Sequence, residues 1–138
     1  INNKIINIID ESYNSNPLSL EFAISKINEM KMNPKNKKIL LGDMLELGSY
    51  SKKLHRDVAK ILNKSSISKV YVYGNYIKET FNKIKTQKKG RILKNKMQLQ
   101  NFINSDLKNN DYLLVKGSNA TGLNNLISKI KIGKINAL

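Results

Sequence analysis

The sequence predicts a single α/β domain with a Rossmann-like, three-layer α/β/α architecture and a mostly parallel sheet. Short β-branched runs, typical of buried strands, alternate along the chain with longer segments whose apolar residues recur every three or four positions. Strand–helix units repeated in this way favour a parallel sheet that helices cover on both faces. The length of 138 residues suits one domain, and no linker or internal repeat divides the chain.

The first half of the chain contains two predicted strand–helix units. The β-branched run at 5–9 is the first predicted strand, and Asn16 with Pro17 supplies the N-cap and first turn of a helix. The run at 39–41 is the second predicted strand, which ends at Gly42. The apolar faces of the two helices are Leu20, Ala23, Ile24 and Ile27, and then Leu54, Val58, Ile61 and Leu62.

Three more units are predicted in the second half, with strands at 70–73, 91–93 and 112–115. Right-handed crossovers between parallel strands then favour an open sheet. The tail from Ile132 is predicted either as an edge strand or as a frayed end. The apolar faces of the three helices are Ile77, Phe81 and Ile84, then Leu99, Phe102 and Ile103, and last Leu123, Leu126, Ile127 and Ile130.

The composition excludes several kinds of site. The chain has no Cys, which excludes disulfides, thiolate metal sites and cysteine nucleophiles, and its single histidine is His55. We therefore predict no metal site. No apolar run approaches the roughly 20 residues that cross a bilayer, and the start lacks a signal-peptide pattern. We predict a cytoplasmic protein without a membrane span.

The formal net charge of +15 raises the alternative of a basic, non-enzymatic nucleic-acid-binding module. Nearly all the cations are lysines, and Arg56 and Arg91 are the only arginines. Nucleic-acid readers favour the bidentate arginine fork, and the lysines here are scattered. We therefore expect mostly solvated surface charge and no nucleic-acid partner.

Three polar loops follow predicted strands, at 10–17, 42–48 and 116–122. In open α/β sheets, ligands bind beyond the carboxyl ends of the strands, so we expect these loops to form the site at one edge. The chain begins almost directly on a strand, which predicts a domain taken from a longer polypeptide.

The first two loops each have two interpretations. Asp10 and Glu11 either bind ribose hydroxyls or a metal, or they solvate a turn. Asp43 and Glu46 flank apolar residues that either line a binding surface or pack in a buried turn. His55 follows the second loop and is interpreted first as a structural hydrogen-bonding residue.

The third loop has part of a phosphate-loop pattern. Gly117 and Gly122 have the right spacing, but 123–124 is Leu-Asn where a Walker A motif has Lys-Ser or Lys-Thr. Lys116 and the backbone N–H groups could still hold an anion, or the segment could be an ordinary turn. If ATP is used, another domain must supply the phosphate cradle.

Four segments together resemble the C-terminal domain of a Mur ligase, in the branch that adds D-alanyl-D-alanine. These are 11–17 (Glu-Ser-Tyr-Asn-Ser-Asn-Pro), 41–48 (Leu-Gly-Asp-Met-Leu-Glu-Leu-Gly), 54–56 (Leu-His-Arg) and 115–118 (Val-Lys-Gly-Ser). Their order and spacing agree with that family across about the whole chain. The sequence departs from the family at Glu11, where Asp is usual, at Ser15, where Ala is usual, and at 119–121.

The resemblance implies that residues 1–138 are one domain of a three-domain enzyme. The other two would be an N-terminal domain that binds UDP-N-acetylmuramoyl-tripeptide and a central domain that binds most of ATP and Mg²⁺. The implied reaction phosphorylates a carboxylate of the tripeptide, and the amine of D-alanyl-D-alanine then attacks. Another Mur-type amide ligase remains an alternative. The domain alone is expected to be inactive.

The resemblance also implies roles for particular residues. No catalytic residue is expected in this domain alone, although Lys116 would support phosphoryl transfer. The residues expected to contact nucleotide are Asp10, Glu11, Asn14 and Asp43, those expected to contact substrate are Asn14, Lys116 and Ser118, and those expected to brace the site are Asn16, Glu46 and His55.

Overall fold

The structure, a computed structural model, describes residues 4–12, 15–118, 121–125 and 135–137. Its sheet has the strand order β4-β3-β2-β5-β1-β6, and every neighbouring pair is parallel. The predicted α/β class is confirmed, and the tail forms an edge strand. The strands are β1 (Ile6–Glu11), β2 (Lys37–Gly42), β3 (Lys69–Tyr73), β4 (Lys89–Leu93), β5 (Asp111–Lys116) and β6 (Ile135–Ala137).

Helices connect the strands in the predicted order. The predicted helix over 123–130 lies mostly outside the described residues. No helix in the described part of the chain is long and apolar enough to span a membrane. The helices are α1 (Pro17–Glu29), α2 (Ser51–Lys64), α3 (Lys78–Lys83) and α4 (Lys96–Asn101), with a π-helical turn at Phe102–Asp106 and 3₁₀ turns at Pro34–Asn36, Gly48–Tyr50 and Thr86–Lys88.

The core is divided between the two faces of the sheet. Strand β2 is buried along its whole length, and its side chains alternate between the faces as the pleat requires. Ile39 and Leu41 pack with α1, α2 and α3, whereas Leu40 packs on the opposite face with Leu99 and Phe102. This two-sided burial produces the three layers and fixes the sheet between them.

Helix α1 begins at the residue that the sequence predicts. The Asn16 side chain accepts a hydrogen bond from the Ser19 N–H (2.9 Å), and the Ser19 hydroxyl accepts one from the Asn16 N–H (3.1 Å). This capping box satisfies two backbone donors at the start of the helix, and Pro17 occupies the first turn, where a missing N–H costs nothing. The start of α1 is therefore fixed next to the end of β1.

At the amino end of the sheet, two lysines donate hydrogen bonds to carbonyls near the ends of helices. Lys37, which is only 2% exposed, donates to the Asn28 carbonyl near the end of α1 (2.9 Å). Lys88 donates to the Ser65 carbonyl at the end of α2 (2.8 Å). Because the last carbonyls of a helix lack partners and carry partial negative charge, a lysine placed there stabilises the helix end. The expectation of mostly solvated charge therefore needs correction at these residues.

A buried ion pair lies at the same end of the sheet. Lys38 Nζ lies 2.5 Å from Asp111 Oδ2, and both side chains are almost fully buried. Asp111 also accepts hydrogen bonds from the Asn36 side chain (3.1 Å) and from the Lys108 N–H (2.7 Å). These extra donors compensate for part of the free energy that it costs to remove a carboxylate from water.

Candidate functional site

The sheet order brings the three predicted loops together. Strands β2, β5 and β1 are neighbours, and all three point the same way, so their carboxyl ends lie side by side. In register, Lys116 of β5 pairs with Glu11 of β1 on one side and with Leu41 of β2 on the other. We call the side of the molecule where the strands end the carboxyl edge. Asp10 and Glu11 belong to the end of β1 itself rather than to the loop that follows.

Ser118 connects all three loops through hydrogen bonds. Its N–H donates to the Asp43 carbonyl (3.0 Å), and its hydroxyl accepts from the Leu45 N–H (2.9 Å) and donates to the Ser15 carbonyl (3.3 Å). Ser118 is only 8% exposed. Its one hydroxyl proton is thus directed to Ser15, which leaves a lone pair, rather than a donor, for any ligand.

Lys116 places a positive charge at the centre of this edge. Its side chain is 6% exposed, and its Nζ lies 3.8 Å from Glu11 Oε1, a distance that makes an ion pair rather than a hydrogen bond. Burial lowers the pKa of Lys116 from its usual 10.5, and the negative charge of Glu11 partly offsets this shift. The ammonium is thus held beside the carboxylate and largely shielded from water.

Asp10, at the end of β1, fixes the start of the first loop through hydrogen bonds to Ser12. Asp10 Oδ1 accepts hydrogen bonds from the Ser12 N–H (3.1 Å) and the Ser12 hydroxyl (2.5 Å), and Ser12 is fully buried. This local bonding, which Asp and Ser favour in turns, fixes the path of the chain as it leaves β1. The predicted ligand contact Asn14 lies outside the described residues, as does Tyr13.

Asp43 connects the second loop to the segment after β3. Its Oδ1 accepts from the Ile77 N–H (2.8 Å) and its Oδ2 from the Asn75 N–H (3.1 Å). Gly74 has φ +146°, and a Cβ there would lie 2.5 Å from Asp43 Oδ1. Any residue with a Cβ at position 74 would therefore collide with the Asp43 carboxylate. Both oxygens of that carboxylate already accept hydrogen bonds from backbone N–H groups.

His55 is fully buried beneath the second loop. Its Nε2 accepts from the Met44 N–H (3.0 Å), so the ring proton lies on Nδ1, which donates to the Ser51 carbonyl (2.7 Å). Met44 is also fully buried, which favours the packed-turn interpretation at that residue. Glu46, a predicted brace, is exposed with φ +63°, and its side chain forms no hydrogen bond to any described residue.

The sequence prediction missed the ends of β3 and β4. A cavity of about 510 Å³ opens there, next to Asp43. Its signal in the sequence was the turn pair Gly74-Asn75 directly after a strand, which resembles any strand-ending turn. The lining residues are Asp43, Leu45, Tyr73, Gly74, Asn75, Lys78, Leu93, Lys94 and Thr121.

The described residues contain no group of three or more His, Cys, Asp or Glu side chains that could hold a metal ion. Two acids, Asp10 and Glu11, do lie at the end of β1, but Asp10 is bonded to Ser12 and Glu11 is paired with Lys116. The arrangement can therefore bind an anion or brace a neighbouring domain more readily than it can bind a cation.

Known proteins of one family match this chain in sequence. The model of the Mur ligase glutamate ligase domain matches residues 1–119. The UDP-N-acetylmuramoyl-tripeptide–D-alanyl-D-alanine ligase of Rickettsia prowazekii is 29% identical over 129 residues, and that of Buchnera aphidicola is 32% identical over 130. These matches cover 90% and 93% of this chain but only 28% and 27% of the relatives. The chain thus spans little more than a quarter of their length.

Solved structures agree with the sequence matches. The MurF ligase of Thermotoga maritima in complex with ADP superposes with a TM-score of 0.70 at 25% identity, over 88% of this chain and 27% of that one. A MurF structure from Acinetobacter baumannii has the same TM-score at 22% identity, over 86% of this chain and 26% of that one, and shows the shared fold. The family model extends over most of the chain, and the fold is that of the solved relatives. The chain belongs to the Mur ligase family, as a C-terminal glutamate ligase domain.

Proposed function

We propose that residues 1–138 act as the C-terminal domain of an ATP-dependent cytoplasmic ligase that adds D-alanyl-D-alanine to UDP-N-acetylmuramoyl-tripeptide. Its partners would be the N-terminal and central domains of the same enzyme. The central domain would provide the phosphate cradle and most contacts to ATP and Mg²⁺. The names of the matched relatives support this substrate pair.

The observation that carries the proposal is the arrangement around Lys116. Three loops from neighbouring strands meet there, and Ser118 holds them together. The described loops contain no complete phosphate-binding motif. A half-site of this kind is suited to work against a second domain that brings the phosphates.

The chemistry of the proposed reaction favours a site that is shared between two domains. An acyl phosphate hydrolyses in water, so a domain that closes over it and excludes water protects the intermediate. Phosphoryl transfer depends mainly on positioning and on stabilising negative charge. A buried ammonium such as that of Lys116 interacts more strongly with a phosphoryl group than a solvated one would.

Exposed apolar side chains supply a second argument for a docked domain. Each α helix begins at the carboxyl edge because it follows a parallel strand. Of the six large apolar side chains that are exposed in the described residues, only Ile5 precedes a strand. The other five lie in the first two turns of a helix or just before it, where docking would cover them. They are Leu18, Phe22, Tyr50, Tyr76 and Met97.

A chimaeric enzyme tests the proposal. This chain would replace the matching domain of the Thermotoga maritima relative, and ligation of D-alanyl-D-alanine to the tripeptide substrate would be measured. We expect ligation by the chimaera, and neither ligation nor ATP hydrolysis by the 138-residue chain alone. Lys116→Ala should reduce kcat strongly, whereas Lys31→Ala, at an exposed residue just after the end of α1, should not.

Two outcomes would count against the proposal. A chimaera that folds and binds ATP but ligates no dipeptide would refute the assigned substrate. A Lys116→Ala chimaera with unchanged kcat would leave the domain assignment in place and remove the role of Lys116. Circular dichroism of each variant separates these results from a failure to fold.

A further inference from the structure

Six exposed lysines lie at the amino edge of the sheet, the end opposite the carboxyl edge. Each occurs at or after the end of one helix and before the next strand, in the segments that lead into β2, β3, β4 and β5. These four strands are neighbours, so the segments enter the sheet along a strip about 14 Å wide. The six residues, which we call the lysine patch, are Lys31, Lys35, Lys64, Lys83, Lys85 and Lys108.

The lysine patch has no acidic partner among the described residues. Within that part of the chain, its side chains form neither ion pairs nor hydrogen bonds. Two acids at this edge, Asp106 and Asp111, are already held in ion pairs with other residues. Glu29, at the end of α1, is the one unpaired acid that the described residues place there. The amino edge therefore carries a strong local excess of positive charge.

Like charges crowd at this edge at a cost to stability. Burial lowers the pKa of Lys88, and the charge of Lys85 lowers it further. Burial also lowers the pKa of Lys4, and the charge of Lys108 adds to that effect. Each of these shifts means that the folded state disfavours the charged lysine relative to the unfolded state. A gain in folding stability therefore does not explain why these charges are gathered here.

Helix ends account for only two residues of the lysine patch. Lys64 and Lys83 are the last residues of α2 and α3, where a cation complements the partial negative charge of the last carbonyls. The other four lie outside the α helices, and none of their ammonium groups bonds a described carbonyl. Their position is more consistent with contact to something outside the molecule.

The side chains at the amino edge indicate which anionic surface would fit it. Of the large apolar side chains that are exposed in the described residues, only Ile5 lies at this end. The edge thus offers neither an apolar cluster to insert into a bilayer nor an exposed aromatic ring to stack on a base. Lysine is a flexible point charge, whereas nucleic-acid readers favour the arginine fork. A lysine cluster suits the diffuse negative charge of lipid headgroups.

We propose that the lysine patch holds this domain against the surface of a membrane that contains anionic lipids. The contact is electrostatic and peripheral, with the ammonium groups at the level of the headgroups and no inserted segment. Because the patch lies at the amino edge, the carboxyl edge with Lys116 faces away from the lipid. Membrane contact and the docking of another domain are therefore compatible.

Sedimentation of the 138-residue chain with lipid vesicles tests this inference. The vesicles consist of phosphatidylcholine with about one third phosphatidylglycerol, in about 50 mM salt. We expect the chain to bind these vesicles and not to bind vesicles of phosphatidylcholine alone. Binding should be lost in about 1 M salt, where the screening length falls to about 3 Å.

A patch variant combines Lys35→Gln, Lys85→Gln and Lys108→Gln, none of which alters an α helix. Its affinity for the anionic vesicles should fall about 50-fold or more, which corresponds to about fivefold, or about 1 kcal/mol, for each lysine near the surface. The matched control removes the same charge from exposed, unpaired lysines at the carboxyl edge, and it should keep most of the affinity. The control changes are Lys52→Gln, Lys94→Gln and Lys96→Gln.

Three results would overturn the inference. Equal losses in the two triple variants would show that net charge, not the lysine patch, causes the binding. Tighter binding of duplex DNA or single-stranded RNA than of vesicles in the same salt, lost only in the patch variant, would assign the patch to nucleic acid. Absence of vesicle binding by the unchanged chain would show that the lysines are only solvated.

Circular dichroism of each variant checks that it folds. If the patch variant does not fold, the three single changes carry the test, and each should weaken vesicle binding about fivefold. Vesicle binding requires no ligation, so these results do not depend on the proposed function and leave it in place.

Discussion

His55 accepts a hydrogen bond at Nε2 from the backbone N–H of Met44, a residue that precedes it by eleven positions. The ring also donates to the Ser51 carbonyl, so one buried imidazole joins the second loop to the first turn of α2. The motif that contains His55 can therefore be explained by loop geometry, without proton transfer. This explanation leads to a stability prediction rather than a catalytic one.

Replacing His55 with Leu should lower the free energy of unfolding by about 1–3 kcal/mol, because the change leaves the buried Met44 N–H without its acceptor. The Ser51 carbonyl loses the bond from the imidazole but, as the first residue of α2, keeps its helical hydrogen bond. Urea unfolding monitored by circular dichroism would measure it. Arg56→Ala is the neighbouring control, because its exposed ion pair with Glu79 is worth at most about 1 kcal/mol. Equal effects of the two changes would contradict the bracing role.

Gly74→Ala should be more destabilising than Gly48→Ala. Both residues have positive φ, +146° and +60°, but a Cβ at Gly74 would lie 2.5 Å from Asp43 Oδ1, and one at Gly48 meets nothing within 4 Å. Gly48→Ala should therefore cost only the backbone term, about 1–2 kcal/mol. Gly74→Ala adds the clash and should displace the Asp43 carboxylate.

The measurement for this pair is urea unfolding together with the amide NMR spectrum. We expect the Asn75 and Ile77 signals, whose N–H groups bond Asp43, to move in Gly74→Ala and to stay in place in Gly48→Ala. Similar stabilities and unchanged signals for both variants would mean that the Gly74 segment adapts freely.

The sequence predicted the features that depend on local pattern. The Asn16 cap involves Ser19, three residues away, and the burial of β2 follows from its own apolar run. The meeting of the loops followed from parallel topology. The hydrogen bonds that the Asn75 and Ile77 N–H groups donate to Asp43 were not predictable, because they join segments more than 30 residues apart.

The contacts of individual lysines could not be predicted from the sequence either. Nothing in the residues around Lys37 distinguishes it from a solvated lysine, yet it reaches the end of α1 and is buried. Lys78 and Lys94 line one cavity only because β3 and β4 are neighbours in the sheet. The sequence alone therefore could not predict this cavity.

Removing one partner of the Lys38–Asp111 pair should be far more costly than removing both. Lys38→Met leaves a buried carboxylate without its cation, which costs about 3–5 kcal/mol. Lys38→Met with Asp111→Leu removes both charges and should recover much of that loss. Urea unfolding of Lys38→Met, of Asp111→Leu and of the double variant provides a double-mutant cycle. If the free-energy changes of the two single variants simply add up in the double variant, the two charges do not interact.

The charge of Lys116 should make stability depend on pH in a defined direction. Burial lowers its pKa below 10.5 in the folded chain, whereas the unfolded chain keeps the ordinary value. Between the lowered value and 10.5 the unfolded state binds more protons, so this group makes the free energy of unfolding rise with pH. Lys116→Met should reduce that rise, to which Lys4 and Lys88 also contribute because burial lowers their pKa as well, and Lys31→Met should leave it unchanged.

Glu11→Gln should lower the pKa of Lys116 further, because the carboxylate 3.8 Å away is what partly offsets the effect of burial. NMR titration of the lysine side-chain carbon next to Nζ would measure the pKa directly in both forms. In the chimaera, the same change should move the basic limb of the pH–rate profile towards lower pH if the ammonium supports phosphoryl transfer. A lowered pKa without any movement of that limb would show that Lys116 stabilises the carboxyl edge but does not act on the reacting groups.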